Sequence, residues 1–107
     1  MGLFSRKNKG GPLSQRRART ITLSHLREFA STREGVAAYY ERETSRAPSA
    51  IVLVAIDGEW TRRKVPSFSD AQNVAQELGI SLFDVAATGY PRAMREWSAR
   101  NPGSQTR

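Results

Sequence analysis

Basic side chains are the residues of this sequence best suited to chemistry, and they are concentrated at its beginning. Residues 1–20 hold six basic residues and no acidic residue. The six are Arg6, Lys7, Lys9, Arg16, Arg17 and Arg19. Side chains of this type neutralise phosphates, and each contact adds affinity that weakens as the salt concentration rises. The segment therefore predicts an arm that binds a polyanion, or alternatively a tail that only aids solubility.

The rest of the chain is close to electrically neutral. Residues 21–96 hold nine basic and ten acidic residues, and residues 97–107 add two more arginines. The formal net charge of +7 thus belongs to the two ends of the 107-residue chain. This distribution predicts one small domain over residues 20–98, a flexible, disordered basic arm over residues 1–19 and a flexible tail over residues 99–107.

A second basic group, Arg62-Arg63-Lys64, follows Trp60 in a segment of alternating residues. A cationic strand with an aromatic ring at its edge can stack a nucleotide base and hold its backbone, so Arg62 and Lys64 are candidate polyanion contacts. The alternative is a solvated strand whose cations discourage pairing at the sheet edge, with Trp60 packed in the core. The pattern favours the alternative.

Two arginines near a predicted helix start form a third candidate. Arg92 and Arg95 stand three residues apart after Tyr90-Pro91, a spacing that places both on one face of a helix. Together with the helix N-terminus they would make an anion pocket beside Tyr90. The alternative is that Pro91 starts a helix whose arginines face solvent.

No catalytic constellation accompanies these groups. Asp57, Glu59 and Asp84 are candidates for a hard-metal site at strand ends, but Asp57 already suits a turn, so we expect no metal. His25 is the only histidine and lacks the partners that metal binding or nucleophilic catalysis needs, so we expect it at the surface or at the boundary of the core. The chain has no cysteine, and its glycines form no nucleotide-binding motif, so we expect no cofactor. The sequence favours a non-enzymatic protein.

Periodicity and turn signals predict the elements that position these residues. We expect a helix from an N-cap at Ser24 to about Thr32, strands over residues 36–41, 51–56 and 59–65, a helix with a capping box at Ser69–Gln72, a strand over residues 80–86 and a short helix after Pro91. Residues 36–41 can alternatively extend the first helix. The continuous apolar run at 51–56 predicts cover on both faces, and Asp57-Gly58 predicts a type I′ hairpin turn.

The order of these elements is helix, three-strand meander, helix, strand, helix. It predicts a single α+β domain with one mainly antiparallel sheet of about four strands. No apolar run approaches the roughly twenty residues that span a bilayer, so we expect a cytoplasmic protein.

Three stretches resemble a family of short, uncharacterised actinobacterial proteins. They are Gly35–Tyr39, Ile51–Arg63 and Asp84–Pro91, and the string DGEWTRR is their most characteristic part. The resemblance covers about residues 20–98 and implies one cytosolic domain with a strand after Gly35. Members of the family are sometimes labelled oxidoreductases, a label that brings no cofactor or catalytic residue to positions in this chain.

These observations predict a cytoplasmic binding or regulatory module. Its basic arm would contact a polyanion, namely nucleic acid or a ribonucleoprotein, or the domain would dock a protein partner. The alternative is a small oxidoreductase-like enzyme or a small-ligand binder, which the family label alone suggests.

Overall fold

The computed structural model describes residues 11–103, and within the first helix it describes the side chains of Arg19 and of the residues from Thr22 onward. Over this range the elements are α1 (Gly11–Thr32), β1 (Ala37–Glu41), β2 (Ala50–Val54), β3 (Trp60–Lys64), α2 (Phe68–Leu78), β4 (Leu82–Asp84), α3 (Val85–Thr88) and α4 (Arg92–Arg100). This order confirms the predicted α+β class and adds one short helix, α3. No helix within these residues combines the length and the apolar character needed to cross a membrane.

The four strands form one sheet in the order β3-β2-β1-β4. Strand β2 pairs antiparallel with both β1 and β3, and β4 pairs parallel with β1. The predicted three-strand meander and the mainly antiparallel sheet are therefore confirmed. Strands β3 and β4 are its two edges.

Strand β2 is the centre of the core, because all five of its residues are buried. Successive side chains of a strand point to opposite faces, so a continuous apolar strand must be covered on both. On one face Ile51 and Leu53 lie in a cluster with Leu26 and Phe29 of α1 and with Ala71 and Ala75 of α2. On the other face Val52 and Val54 pack with Met94 of α4. Full burial of one such aliphatic side chain contributes about 1.5–3 kcal/mol.

The first helix begins at Gly11, well before the predicted N-cap at Ser24. Residues 13–19 are mostly good helix formers, and Pro12 is tolerated in a first turn, where its missing N–H is not needed. Ser24 is therefore an interior helical residue. The helical backbone also crosses the predicted arm boundary at residue 19, while residues 1–10 lie outside the described residues. At the other end α4 continues to Arg100, past the predicted boundary at residue 98.

Two further boundaries differ from the sequence prediction. Helix α2 is capped by Ser67, whose Oγ accepts the N–H of Asp70, so the capping residue is not Ser69. The earlier start brings the Phe68 ring edge-on to Tyr40, with centroids 5.1 Å apart.

The strand predicted for residues 80–86 is limited to Leu82–Asp84. It ends there because the Asp84 carboxylate accepts the N–H of Ala86 and begins the short helix α3. This is the usual N-cap role of aspartate.

The β2–β3 hairpin is present, but the predicted type I′ turn is wrong. The Ala55 N–H donates to the Glu59 carbonyl, and the Gly58 N–H donates to the Ala55 carbonyl. Ile56 and Asp57 are therefore the central turn residues, and Gly58 follows them with a φ of 98°. This is the three-residue hairpin loop that ends in a left-handed glycine.

Gly58 also fixes the distance between the hairpin and α4. A Cβ at residue 58 would lie 2.0 Å from the carbonyl oxygen of Ala93 and 2.8 Å from the Cβ of Trp97. Real Cβ atoms do not approach backbone this closely, so only glycine lets the hairpin backbone pack directly under the helix. The loop thereby anchors α4 over Val52 and Val54.

We expect Gly58→Ala to lower the free energy of unfolding by more than about 3 kcal/mol, because strain from the positive φ adds to the clash with α4. Gly79→Ala is the matched control. Gly79 has a φ of 70°, but a Cβ at residue 79 would have no atom within 4 Å, so a loss of about 1 kcal/mol is expected there. Urea unfolding of both variants measures the difference, and equal losses would contradict the close packing of the hairpin against α4.

Candidate functional site

Helix α1 lies along the edge strand β3, and the two run in opposite directions. Near the end of the helix the Arg33 guanidinium bonds the carboxylate of Glu59 at 2.7 Å. Two turns earlier His25 Nε2 lies 3.1 Å from the Thr61 hydroxyl. One further turn back, Thr22 lies at a cleft beside the end of β3. The register of these contacts places the first half of α1 beyond the end of the strand, at the side of Lys64.

The cleft at this point has a volume of about 380 Å³, and we call it the β3 cleft. It is lined by Thr22 of α1, by Ala47, Pro48 and Ala50 at the start of β2, and by Arg62, Arg63 and Lys64 of β3. Three of these seven residues are basic and none is acidic. The cleft therefore combines an apolar floor with a positive wall.

The backbone of β3 adds donors to this side of the cleft. In an antiparallel pair the N–H groups of alternate residues point to the partner strand. The Val65 N–H donates to Ser49 and the Ala55 N–H donates to Glu59, so the residues paired with β2 are the odd-numbered ones. The N–H groups of Arg62 and Lys64, like their carbonyl groups, consequently point to the open edge of the sheet.

The three cations of β3 have different surroundings. The Nε of Arg62 donates to the Glu41 carboxylate at 2.7 Å, so part of its charge is neutralised across the sheet. The Nη1 of Arg63 donates to the carbonyl oxygen of Arg62. The Lys64 side chain is exposed. Lys64 is therefore the cation of this strand most accessible to a ligand.

The structure uses Trp60 for packing. Its indole N–H donates to the Ser98 hydroxyl of α4 at 2.8 Å, and its ring packs on the cluster formed by Val52, Val54 and Met94. This agrees with the interpretation of Trp60 as a core residue. The ring is turned to α4, on the face of β3 that also carries the side chains of Arg62 and Lys64, whereas Arg63 lies on the face toward α1.

The basic residues of the predicted arm fall into three groups. Arg6, Lys7 and Lys9 lie outside the described residues. Arg16 and Arg17 belong to α1, and Arg19 is exposed. Residue 19 stands one helical turn before Thr22, on the same side of the helix. Helix α1 thus continues from the cleft at Thr22 to Arg19, although Arg19 and the cations of β3 are far apart in the sequence.

The predicted anion pocket of Tyr90, Arg92 and Arg95 has other contacts. Arg92 Nε donates to Glu96 at 3.1 Å, one turn along α4. Arg95 Nη1 donates to the backbone carbonyl of Tyr90 at 3.0 Å. The Tyr90 hydroxyl is buried and has no hydrogen-bond partner among the described residues. Each arginine therefore has a local partner, and the hydroxyl of Tyr90 lies below the surface that they occupy.

The three carboxylates considered as metal ligands also have separate partners. Asp57 Oδ1 accepts the N–H of Glu59, and Glu59 pairs with Arg33. Asp84 pairs with Arg42 at 2.9 Å, and this bond lowers the pKa of the Asp84 carboxyl, with help from the N–H of Ala86. Within residues 11–103 no three metal-ligating side chains are grouped.

His25 lies half-buried between α1 and β3, the boundary position that the sequence allowed. Burial lowers the pKa of its imidazole below 6.5, because the charged form loses contact with water, and the positive charge of Arg63 lowers it further. Glu28 acts in the opposite direction, and Arg33 acts in the same direction as Arg63. The lowered pKa of the imidazole therefore reports first on its burial between α1 and β3, and second on the charge of Arg63.

Sequence reasoning missed the residues that complete the β3 cleft, namely Thr22, Ala47, Pro48 and Ala50. Small and apolar residues at these positions carry no chemical signal of their own. The signal that was available is the helical period, which places residue 19 and residue 22 on one side of α1.

Comparison of the chain with family models, with curated proteins and with solved structures gives no match. The resemblance to short actinobacterial proteins stays a prediction. A function is therefore indicated only by the residues and their geometry.

Because His25 is the only histidine, its titration is directly observable. We expect its imidazole proton signals in NMR to titrate with a midpoint below 6.5. The folded protein then binds this proton less tightly than the unfolded chain. The contribution of His25 to stability is accordingly complete above pH 6.5 and is lost as the pH falls through the lowered pKa.

The matched variant is His25→Asn, which removes the titrating group. We expect its free energy of unfolding to change less between about pH 7 and pH 5 than that of the parent protein. A midpoint above 6.5 in the parent would contradict the half-buried position of His25 beside Arg63.

Proposed function

We propose that this chain is a non-enzymatic nucleic-acid-binding module. The proposed contacts come from two segments, the first half of α1 and the end of β3, and we call their basic residues the basic strip: Arg16, Arg17, Arg19, Arg62, Arg63 and Lys64. The observation that carries the proposal is that α1 and β3 lie side by side at the β3 cleft. This arrangement supports a role for the two basic segments in binding the same ligand.

The strip is rich in cations, although Arg62 within it is paired. Among the described residues, arginines pair with carboxylates at Arg27–Glu77, Arg33–Glu59, Arg42–Asp84, Arg92–Glu96 and, within the strip, Arg62–Glu41. Arg19 is exposed and forms no ion pair among the described residues. No acidic residue precedes Glu28 in the chain. A polyanion is therefore attracted to the strip.

Phosphate groups are the chemistry that such a strip recognises. Arginine offers a planar fork of donors, lysine a compact charge, and the outward N–H groups of β3 add neutral donors. Contacts of this kind set affinity and orientation without reading bases. The proposed role is therefore binding with little sequence preference, in which the six basic residues of positions 1–20 act together with β3.

The test is the salt dependence of binding to an oligonucleotide of mixed sequence, measured by fluorescence anisotropy. We expect the triple variant Arg16→Gln, Arg17→Gln and Arg19→Gln to bind more weakly at low salt. The slope of log affinity against log salt concentration should fall by about 2, since each phosphate contact contributes about 0.7 for a single strand. Glutamine keeps the helix propensity of these positions.

The matched control removes three arginines from α4, as Arg92→Gln, Arg95→Gln and Arg100→Gln. It makes the same change in net charge on the opposite side of the sheet, and we expect a slope close to that of the parent protein. Circular dichroism checks that both variants are folded. A slope that falls in the control and not in the α1 variant would place the site at α4 and contradict the proposal. Salt-dependent binding to anionic lipid vesicles, with none to the oligonucleotide, would also contradict it.

A further inference from the structure

We infer that the β3 cleft is a subsite for one unstacked nucleotide of a single-stranded nucleic acid. This inference rests on the proposed function and specifies its ligand. The shared chemistry is a phosphate joined to a planar, largely apolar ring. Both a nucleic-acid strand and a free mononucleotide contain these two groups. The occupant that we propose is the strand.

The size and the lining of the cleft fit one such unit. Its volume of about 380 Å³ lies within the range of about 300–1,000 Å³ that is usual for small-molecule sites. The floor is formed by Ala47, Pro48 and Ala50, which offer apolar surface without long side chains. A base that leaves its stack finds cover there, while its phosphate lies at the cationic wall.

The wall offers donors of three kinds to the phosphate. Lys64 contributes an exposed ammonium group, Thr22 a hydroxyl group, and the edge of β3 the outward N–H groups of Arg62 and Lys64. No carboxylate lines the cleft. An anion that enters it is therefore not opposed by a like charge in the lining.

The shape of the cleft favours a single strand over a duplex. The cleft is concave and lies between α1 and the sheet edge, whereas duplex phosphates lie on a convex surface that keeps bases in the stack. Only an unpaired strand can place a base into such a depression while its neighbouring phosphates follow α1 toward Arg19.

Pairing with another β-strand is the competing use of this edge. A second copy of the chain would place Arg62, Arg63 and Lys64 opposite the same residues of its partner. Like charges directly opposite one another destabilise such a pair, and charged edge strands are a common device against it. The charge of the edge therefore favours an anionic ligand.

The experiment fills the cleft without changing its charge. The variant Ala47→Leu adds an aliphatic group to the floor, and Ala99→Leu makes the same change on the exposed side of α4 as the matched control. We expect Ala47→Leu to lower the affinity of the full chain for a single-stranded oligonucleotide about tenfold, in the range seen for loss of one base contact. Ala99→Leu should bind like the parent protein, and the salt slope should be unchanged in both.

A second filling variant, Thr22→Leu, reaches the same cleft from α1 and covers the case in which Ala47→Leu does not fold. If the folded filling variants bind the single strand as tightly as the parent protein does, the subsite is wrong while the proposed function stands. If the parent protein binds a duplex of the same sequence as tightly as the single strand, the subsite is likewise wrong while the proposed function stands. If the parent protein binds neither nucleic acid in a salt-dependent way, the proposed function itself is wrong.

The source of the nucleotide is tested by competition. A free 5′-mononucleotide should displace the single strand only at concentrations far above those at which the unlabelled strand does. If the mononucleotide displaces the labelled strand at the same concentration as the unlabelled strand does, the cleft binds a mononucleotide and the proposed occupant is wrong.

Discussion

The complete burial of β2 is the constraint on which the rest of this structure depends. A five-residue strand that is apolar at every position is stable only between two covering layers. Helices α1 and α2 cover one face and α4 covers the other. Because α1 must bury Leu26 and Phe29 against this strand, its register along the neighbouring β3 is fixed. The approach of the two basic segments is thus a consequence of core packing.

The edges of the fold are held by a few close contacts. Gly58 lets the hairpin pass directly under α4, and Arg33 links the end of α1 to Glu59 on the same hairpin. The Ser49 hydroxyl donates to the carbonyl of Val65 at 2.5 Å and fixes the loop that leads to the cleft floor. The two walls of the β3 cleft therefore belong to the rigid part of the domain, which reduces the ordering cost of binding there.

The helices and strands that are marked by local sequence patterns could be predicted from the sequence. The alternation after Trp60 and the glycine that ends α2 at Gly79 appear in the structure as predicted. The apolar run at 51–56 forms a buried strand, but β2 ends at Val54, and Ile56 lies exposed in the hairpin turn. The strand after Gly35 is confirmed as β1. Fold class follows from the order of these elements, so it was predictable as well.

The sequence predictions were wrong in two situations. In one, neighbouring residues could serve equally well as a cap or as part of an arm; in the other, the outcome depends on contacts between distant parts of the chain. Ser67 and Ser69 both offer a capping hydroxyl, and the choice of Ser67 depends on the packing of Phe68 against Tyr40, which no local pattern shows. The start of α1 at Gly11 was missed because a polar, basic composition is typical of a flexible arm, although arginine and glutamine are also good helix formers. The cleft could not be predicted, since it requires the register of α1 on β3.

The central claim is that residues far apart in the sequence form one surface for a single strand. The most direct test is an NMR titration of the isotope-labelled full chain with a single-stranded oligonucleotide, followed through the backbone amides. The account predicts that the amides of α1 up to Thr22 and those of Arg62, Arg63 and Lys64 shift together, while the amides of α4 stay in place. Shifts that are confined to α4, or that affect β3 and leave α1 unchanged, would contradict it.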